Sequence, residues 1–212
     1  MTTSYDSESR SAVQRIATVF AEAGEIAVVL ERDARRLFAI AQRLVDMDLV
    51  PPPVDLEALE LAAWSWHLPL AGAPPGSRRT GHMGFRERAD QSAELLLGAL
   101  PDSAAAERAA GILREVPRRA TAVNEARILS DAINLEDFGI SGVLQAAMRM
   151  ARRNMALDEV LEALTRRREY GYWEALLKDG FHFEPVRQMA RRRLEAAWRV
   201  LDALAAELRG QA

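Results

Sequence analysis

Residues 125–142, Glu-Ala-Arg-Ile-Leu-Ser-Asp-Ala-Ile-Asn-Leu-Glu-Asp-Phe-Gly-Ile-Ser-Gly, are the most informative stretch of this 212-residue chain. Their apolar positions recur with the helical period. They predict a helix over about 122–134 and, after a short break, another over about 137–153. Two positions bear on chemistry. Asp131 offers a carboxylate, whereas Ile133 offers only a branched alkyl group with no electron pair for a cation.

Working outward, nearly everything periodic shares that period. Val13, Ile16, Ala17 and Phe20 follow i, i+3, i+4, i+7, and Gly24 supplies a stop. A second helix is expected over about 25–48, closed by Pro51, Pro52 and Pro53. Asp55 can cap the next, which runs through about His67 to meet Pro69. Residues 68–85 are the one long Gly/Pro-rich segment and read as a lid-type loop. Further helices are expected at about 86–99, 102–116, 157–169, 171–179 and 184–208. The last carries an apolar stripe of Val186, Met189, Ala190, Leu194, Ala197, Trp198, Leu201 and Leu208. The aromatic-rich segment 170–187 reads as a packed corner with Trp173, Phe181 and Phe183 buried. No alternating strand pattern competes, so the expected fold is all-α, a bundle of about eight to ten helices. Its length suits a single domain, 1–212, with a core over about 25–155 and a helical extension over 156–212.

Composition narrows the function. Apolar residues make up 49% and charged residues 28%, ordinary for a soluble globular protein. A net charge of −3 argues against a dedicated nucleic-acid binder. The absence of cysteine excludes disulfides, thiolate nucleophiles and Cys-ligated metals. Three histidines, His67, His82 and His182, are too few for a histidine-rich metal centre. Without a signal-peptide pattern or an 18-residue apolar run, the expected location is cytoplasmic, away from membranes.

The stretch 125–142 resembles the closing motif of the HD phosphohydrolase superfamily, E-A-x-I-L-x-D-A-D-x-L-D-x-x-G, whose third D-A-D residue ligates the catalytic metal. Ile133 takes that place here. Residues 62–69, Ala-Ala-Trp-Ser-Trp-His-Leu-Pro, are similar to the family's A-A-L-L-H-D-I-G. Trp66 then falls on the family's His and His67 on its Asp. The first motif matches around Asp33, Arg36, Leu37, Ala41 and Leu44, with Asp33 standing where a His is expected. A W-E-x-x-L-K-x-x-F-H-F-E-x-V-R segment near residues 173–187 is also similar to some bacterial HD proteins, so the likeness spans roughly 25–205. It implies an HD-domain-like helical bundle and four ligand positions, now Asp33, Trp66, His67 and Ile133. Indole and alkyl groups cannot ligate a hard cation, and the two groups left are fewer than the three or four that ordinary sites use.

The expectation is therefore a degenerate member of that family with no metal and no cofactor, in which a helical cleft takes a small organic or anionic molecule. His67 and Asp33 are the candidate acid/base pair. Trp66, Arg36, Arg88, Arg118, Arg119, Asp131 and Ile133 are candidate ligand-binding residues, the arginines replacing the metal as counter-charge for an anion. Whether turnover occurs is open. Catalysis by isomerisation, cyclisation or elimination would need only proton transfer. A non-catalytic regulatory protein and a hydrolase with a rebuilt metal site are the alternatives, and a homodimer is left open.

Overall fold

The computed structural model describes residues 5–72 and 83–210. Among these the fold is all-α: ten helices of eight residues or more, one four-residue helix, a 3-10 turn at Gly24–Ile26 and no strand. No helix among them is long and apolar enough to cross a membrane. The chain divides into two compact units, Met1–Ser130 and Asp131–Ala212.

The first unit contains α1 (Tyr5–Ala21), α2 (Ala27–Val45), α3 (Leu56–Ser65), the short α4 (Leu68–Ala71), α5 (Phe85–Ala99), α6 (Ala104–Glu115) and the start of α7 (Asn124–Glu136). Its centre is α3, which packs against both α2 and α6. Ala58, Leu59, Leu61, Ala62, Ala63, Trp64 and Ser65 are all buried, the signature of a helix enclosed on every side. The facing stripe on α2 is Leu30, Ala34, Leu37, Ala41 and Leu44, a four-three alternation that keeps one face apolar. On α6 the small Ala106, Ala109 and Ala110 are buried. Trp64 stacks on Phe20 of α1 with ring centroids 6.1 Å apart.

The start of α3 is fixed by charge. Asp55 Oδ1 accepts from the Ala58 N–H at 3.0 Å, capping the helix. Arg108 of α6 pairs with Asp55 at 2.6 Å and with Glu57 at 3.2 Å. The Asp55 N–H donates to Glu125 Oε1 at 2.8 Å. The glutamate that opens the 125–142 motif thus holds the far end of the helix that delivers Trp66 and His67.

The second unit holds the end of α7, α8 (Gly139–Ala151), α9 (Leu157–Glu169), α10 (Tyr172–Asp179) and α11 (Glu184–Leu208). Val186, Ala190, Leu194, Ala197 and Leu201 form the buried stripe of α11, which packs on α8 and α9. Trp173, Phe181 and Phe183 are buried as the sequence implied. The end of α7 is stitched to this aromatic corner. Asn134 Nδ2 donates to the Gly180 carbonyl at 2.5 Å, Trp173 Nε1 donates to the Asp137 carbonyl at 3.1 Å, and the Phe138 and Phe181 rings meet edge-on at 5.5 Å. Within this unit, residues 134–138 and the aromatic segment 173–181, singled out separately in the sequence, bind each other.

Candidate functional site

The site is built where α3 gives way to α4. The sequence suggested one helix through His67 followed by a loop; instead α3 stops at Ser65 and a new turn begins at Leu68. Trp66 N–H still reaches the Ala62 carbonyl at 3.1 Å, while His67 N–H turns to the nearer Trp64 carbonyl at 3.3 Å. That tightening ends α3. Pro69 falls in the first turn of α4, where its missing N–H costs nothing. Trp66 and His67 are thereby held at a corner, both buried.

Arg88, in the first turn of α5, closes over this corner. Its Nε donates to the Trp66 carbonyl at 2.9 Å, its Nη2 lies 3.3 Å from His67 Nδ1, and its guanidinium carbon stands 4.5 Å over the Trp66 ring. The Phe85 ring leans on the same indole at 5.2 Å. Arginine only donates, so Nδ1 of His67 must accept and the imidazole proton resides on Nε2. Burial pushes the His67 pKa well below the ordinary imidazole value, and the charges of Arg88 and then Arg36 push it the same way. The ring is neutral at pH 7.

His67 Nε2 is buried with no hydrogen-bond partner among the described residues, and so is Ser92 Oγ. Leaving such an atom unpaired costs about 1–3 kcal/mol. Ser92 lies one turn beyond Arg88, on the same face of α5. It escaped the sequence reading because nothing local distinguishes a serine with no partner from one bonded back to its own helix, as Ser65 is to the Leu61 carbonyl at 2.6 Å.

The other candidate residues take other partners. Asp33 pairs with Arg36 at 3.0 Å on α2, and among the described residues no hydrogen bond joins it to His67. Arg36 nonetheless contributes to the positive field at His67. Arg118 pairs with Glu115 at 2.7 Å on an exposed stretch, where Arg119 is exposed too. In the second unit, Asp131 is fully buried, its two oxygens accepting from the His182 N–H at 2.7 Å and the Phe183 N–H at 3.1 Å. Ile133 is half-buried there. His82 and most of the expected 68–85 loop fall outside the described residues. Among the described residues, no three His, Asp or Glu side chains converge as metal ligands would.

No family model matches the chain, and no curated protein matches it. Its fold is similar to the crystal structure of selenomethionine-labelled YpgQ from Bacillus subtilis. The TM-score is 0.57 at 17% identity, covering 94% of this chain and 95% of that one. At that identity the likeness concerns the fold.

The neutral His67 has a measurable consequence. An unfolded imidazole takes up a proton below about pH 6.5, whereas the folded one does so only at lower pH. Between those points the unfolded state binds more protons. The stability contributed by neutral His67 is therefore complete above about pH 6.5 and is lost as the pH falls toward the folded value. His67→Gln keeps an acceptor for Arg88 and does not titrate. Urea midpoints at pH 7.5 and 5.5 should therefore lie closer together in the variant than in the wild type. Equal acid sensitivity in both would remove His67 as its source.

Proposed function

We propose that the chain is a degenerate relative of the HD phosphohydrolases whose Trp66–His67 corner binds a small organic or anionic molecule without a metal. The observation carrying this reading is the Arg88–His67 contact, a permanent cation on the ring nitrogen of a buried neutral histidine beside an indole. A guanidinium there supplies positive charge where the family places a cation, and the motif likenesses at 62–69 and 125–142 supply the family.

Between binding and proton transfer, the tautomer favours binding. Nδ1 is engaged by Arg88 and Nε2 carries the proton, so His67 presents a donor to a ligand and no free lone pair to act as a base. An acid/base role would require Arg88 to leave Nδ1, and Asp33 is committed to Arg36.

Two measurements on the purified protein test this. Metal analysis is expected to find no divalent ion at one equivalent. A thermal-shift screen of nucleotides, sugar phosphates and aromatic acids is expected to raise the melting temperature with at least one class, and Arg88→Ala to abolish that shift. A stoichiometric transition metal, or a shift untouched by Arg88→Ala, would overturn the proposal.

A further inference from the structure

Resting on that reading of the corner, we propose that His67 Nε2–H and Ser92 Oγ–H are a pair of donors for one ligand oxyanion, a carboxylate or phosphate oxygen, and that Ser92 is a ligand-binding residue of the site. Three observations carry it. His67 is 95% buried, since only 5% of its surface is exposed, and Ser92 is fully buried, yet neither polar atom meets a partner among the described residues. Buried polar groups are almost always satisfied, so two orphans on elements that pack together, α5 and the residue that precedes α4, point to a missing acceptor. Arg88 sits one turn from Ser92 on α5 and within 3.3 Å of the same imidazole, so the local charge is positive and the acceptor is an anion. The tautomer fixes the direction of the bond, because a ring whose Nδ1 accepts from arginine offers only N–H on its other side.

The aromatic floor limits what the anion is attached to. Trp66 and Phe85 lie against one another with Arg88 over the indole, and Phe85 remains 39% exposed. An anion borne on a flat group suits this aromatic surface better than one borne on a bulky aliphatic group.

Ser92→Ala separates this assignment from a structural one. It removes a hydroxyl that bonds nothing, so its melting temperature should equal or exceed that of the wild type; a structural serine would lower it. Titrations with inorganic phosphate, acetate and benzoate form the ligand arms. Benzoate or phosphate is expected to stabilise the wild type and to bind at least tenfold more weakly to Ser92→Ala. A preference for benzoate would assign the carboxylate, and one for phosphate the phosphoryl group. Only three histidines are present, so long-range nitrogen–proton NMR, with His67→Gln for assignment, reads the His67 Nε2 resonance directly. That resonance should move on addition of the anion in the wild type and need at least tenfold more anion to move in Ser92→Ala. Equal anion affinity in the wild type and Ser92→Ala, or a bridging water at these atoms unchanged by any anion, would overturn the assignment. If some other ligand class still binds through Arg88, this inference fails while the corner remains a binding site; if nothing binds at all, both fail.

Discussion

Asp131→Ala is expected to destabilise the protein by about 3 kcal/mol, seen as a lower urea midpoint. Asp131 is completely buried, with one oxygen on the His182 N–H and the other on the Phe183 N–H. Those amides lie just ahead of α11, whose N-terminal flanking residue is Phe183. A carboxylate there satisfies donors that the helix cannot satisfy itself and complements the positive end of its dipole. Alanine leaves both amides unpaired. Asparagine keeps one acceptor oxygen and should lose about half as much. The alternative is that Asp131 serves the ligand. In that case Asp131→Ala would keep the wild-type midpoint and lose only the thermal shift caused by the anion.

The second large effect is Gly142→Ala, expected to cost about 3 kcal/mol although alanine is the better helix former by about 1 kcal/mol. A Cβ at Gly142 would lie 2.6 Å from the carbonyl carbon and oxygen of Asp137 and 2.8 Å from the Glu136 oxygen. All three atoms are backbone at the end of α7, and they cannot rotate away. Gly98, near the end of α5, is the control, since a Cβ there meets nothing within 4 Å. Gly98→Ala should be neutral or stabilising by up to about 1 kcal/mol. Opposite signs for the same substitution, read from paired denaturation curves, test close approach at Gly142. A neutral Gly142→Ala would show that α7 and α8 can separate there without cost.

These residues show what the sequence could and could not reveal. Helices α9 and α11 lie where periodicity put them, at Leu157–Glu169 and Glu184–Leu208, because a long amphipathic pattern with few interruptions determines its own period and ends. The burial of Trp173, Phe181 and Phe183 was legible for the same reason: large apolar groups near a helix junction have little choice. The turn at Leu68–Ala71 was not. Pro69 reads as a stop, yet in a first turn it is tolerated, and sequence alone does not say which side of the proline a helix lies on. The arrangement of the candidate site was legible only by its parts. Trp66, His67 and Arg88 could be picked out by position, but the contact between His67 and Arg88 spans 21 residues and is created by packing α5 beside the corner. The pairing of Asp33 with His67 suggested by residue type gave way to a neighbour three positions along the same helix, Arg36, which reaches the carboxylate without any tertiary requirement.

The charged node at Asp55 carries a kinetic consequence. Its partners Arg108 and Glu125 lie 53 and 70 residues away, so the first turn of α3 is clamped only after two large loops have closed. Closing them costs chain entropy that the helix alone does not return. The N-terminal end of α3 is thus expected to form late in folding and to open early. Substitutions at this node should register mainly as faster unfolding, with the refolding rate little altered.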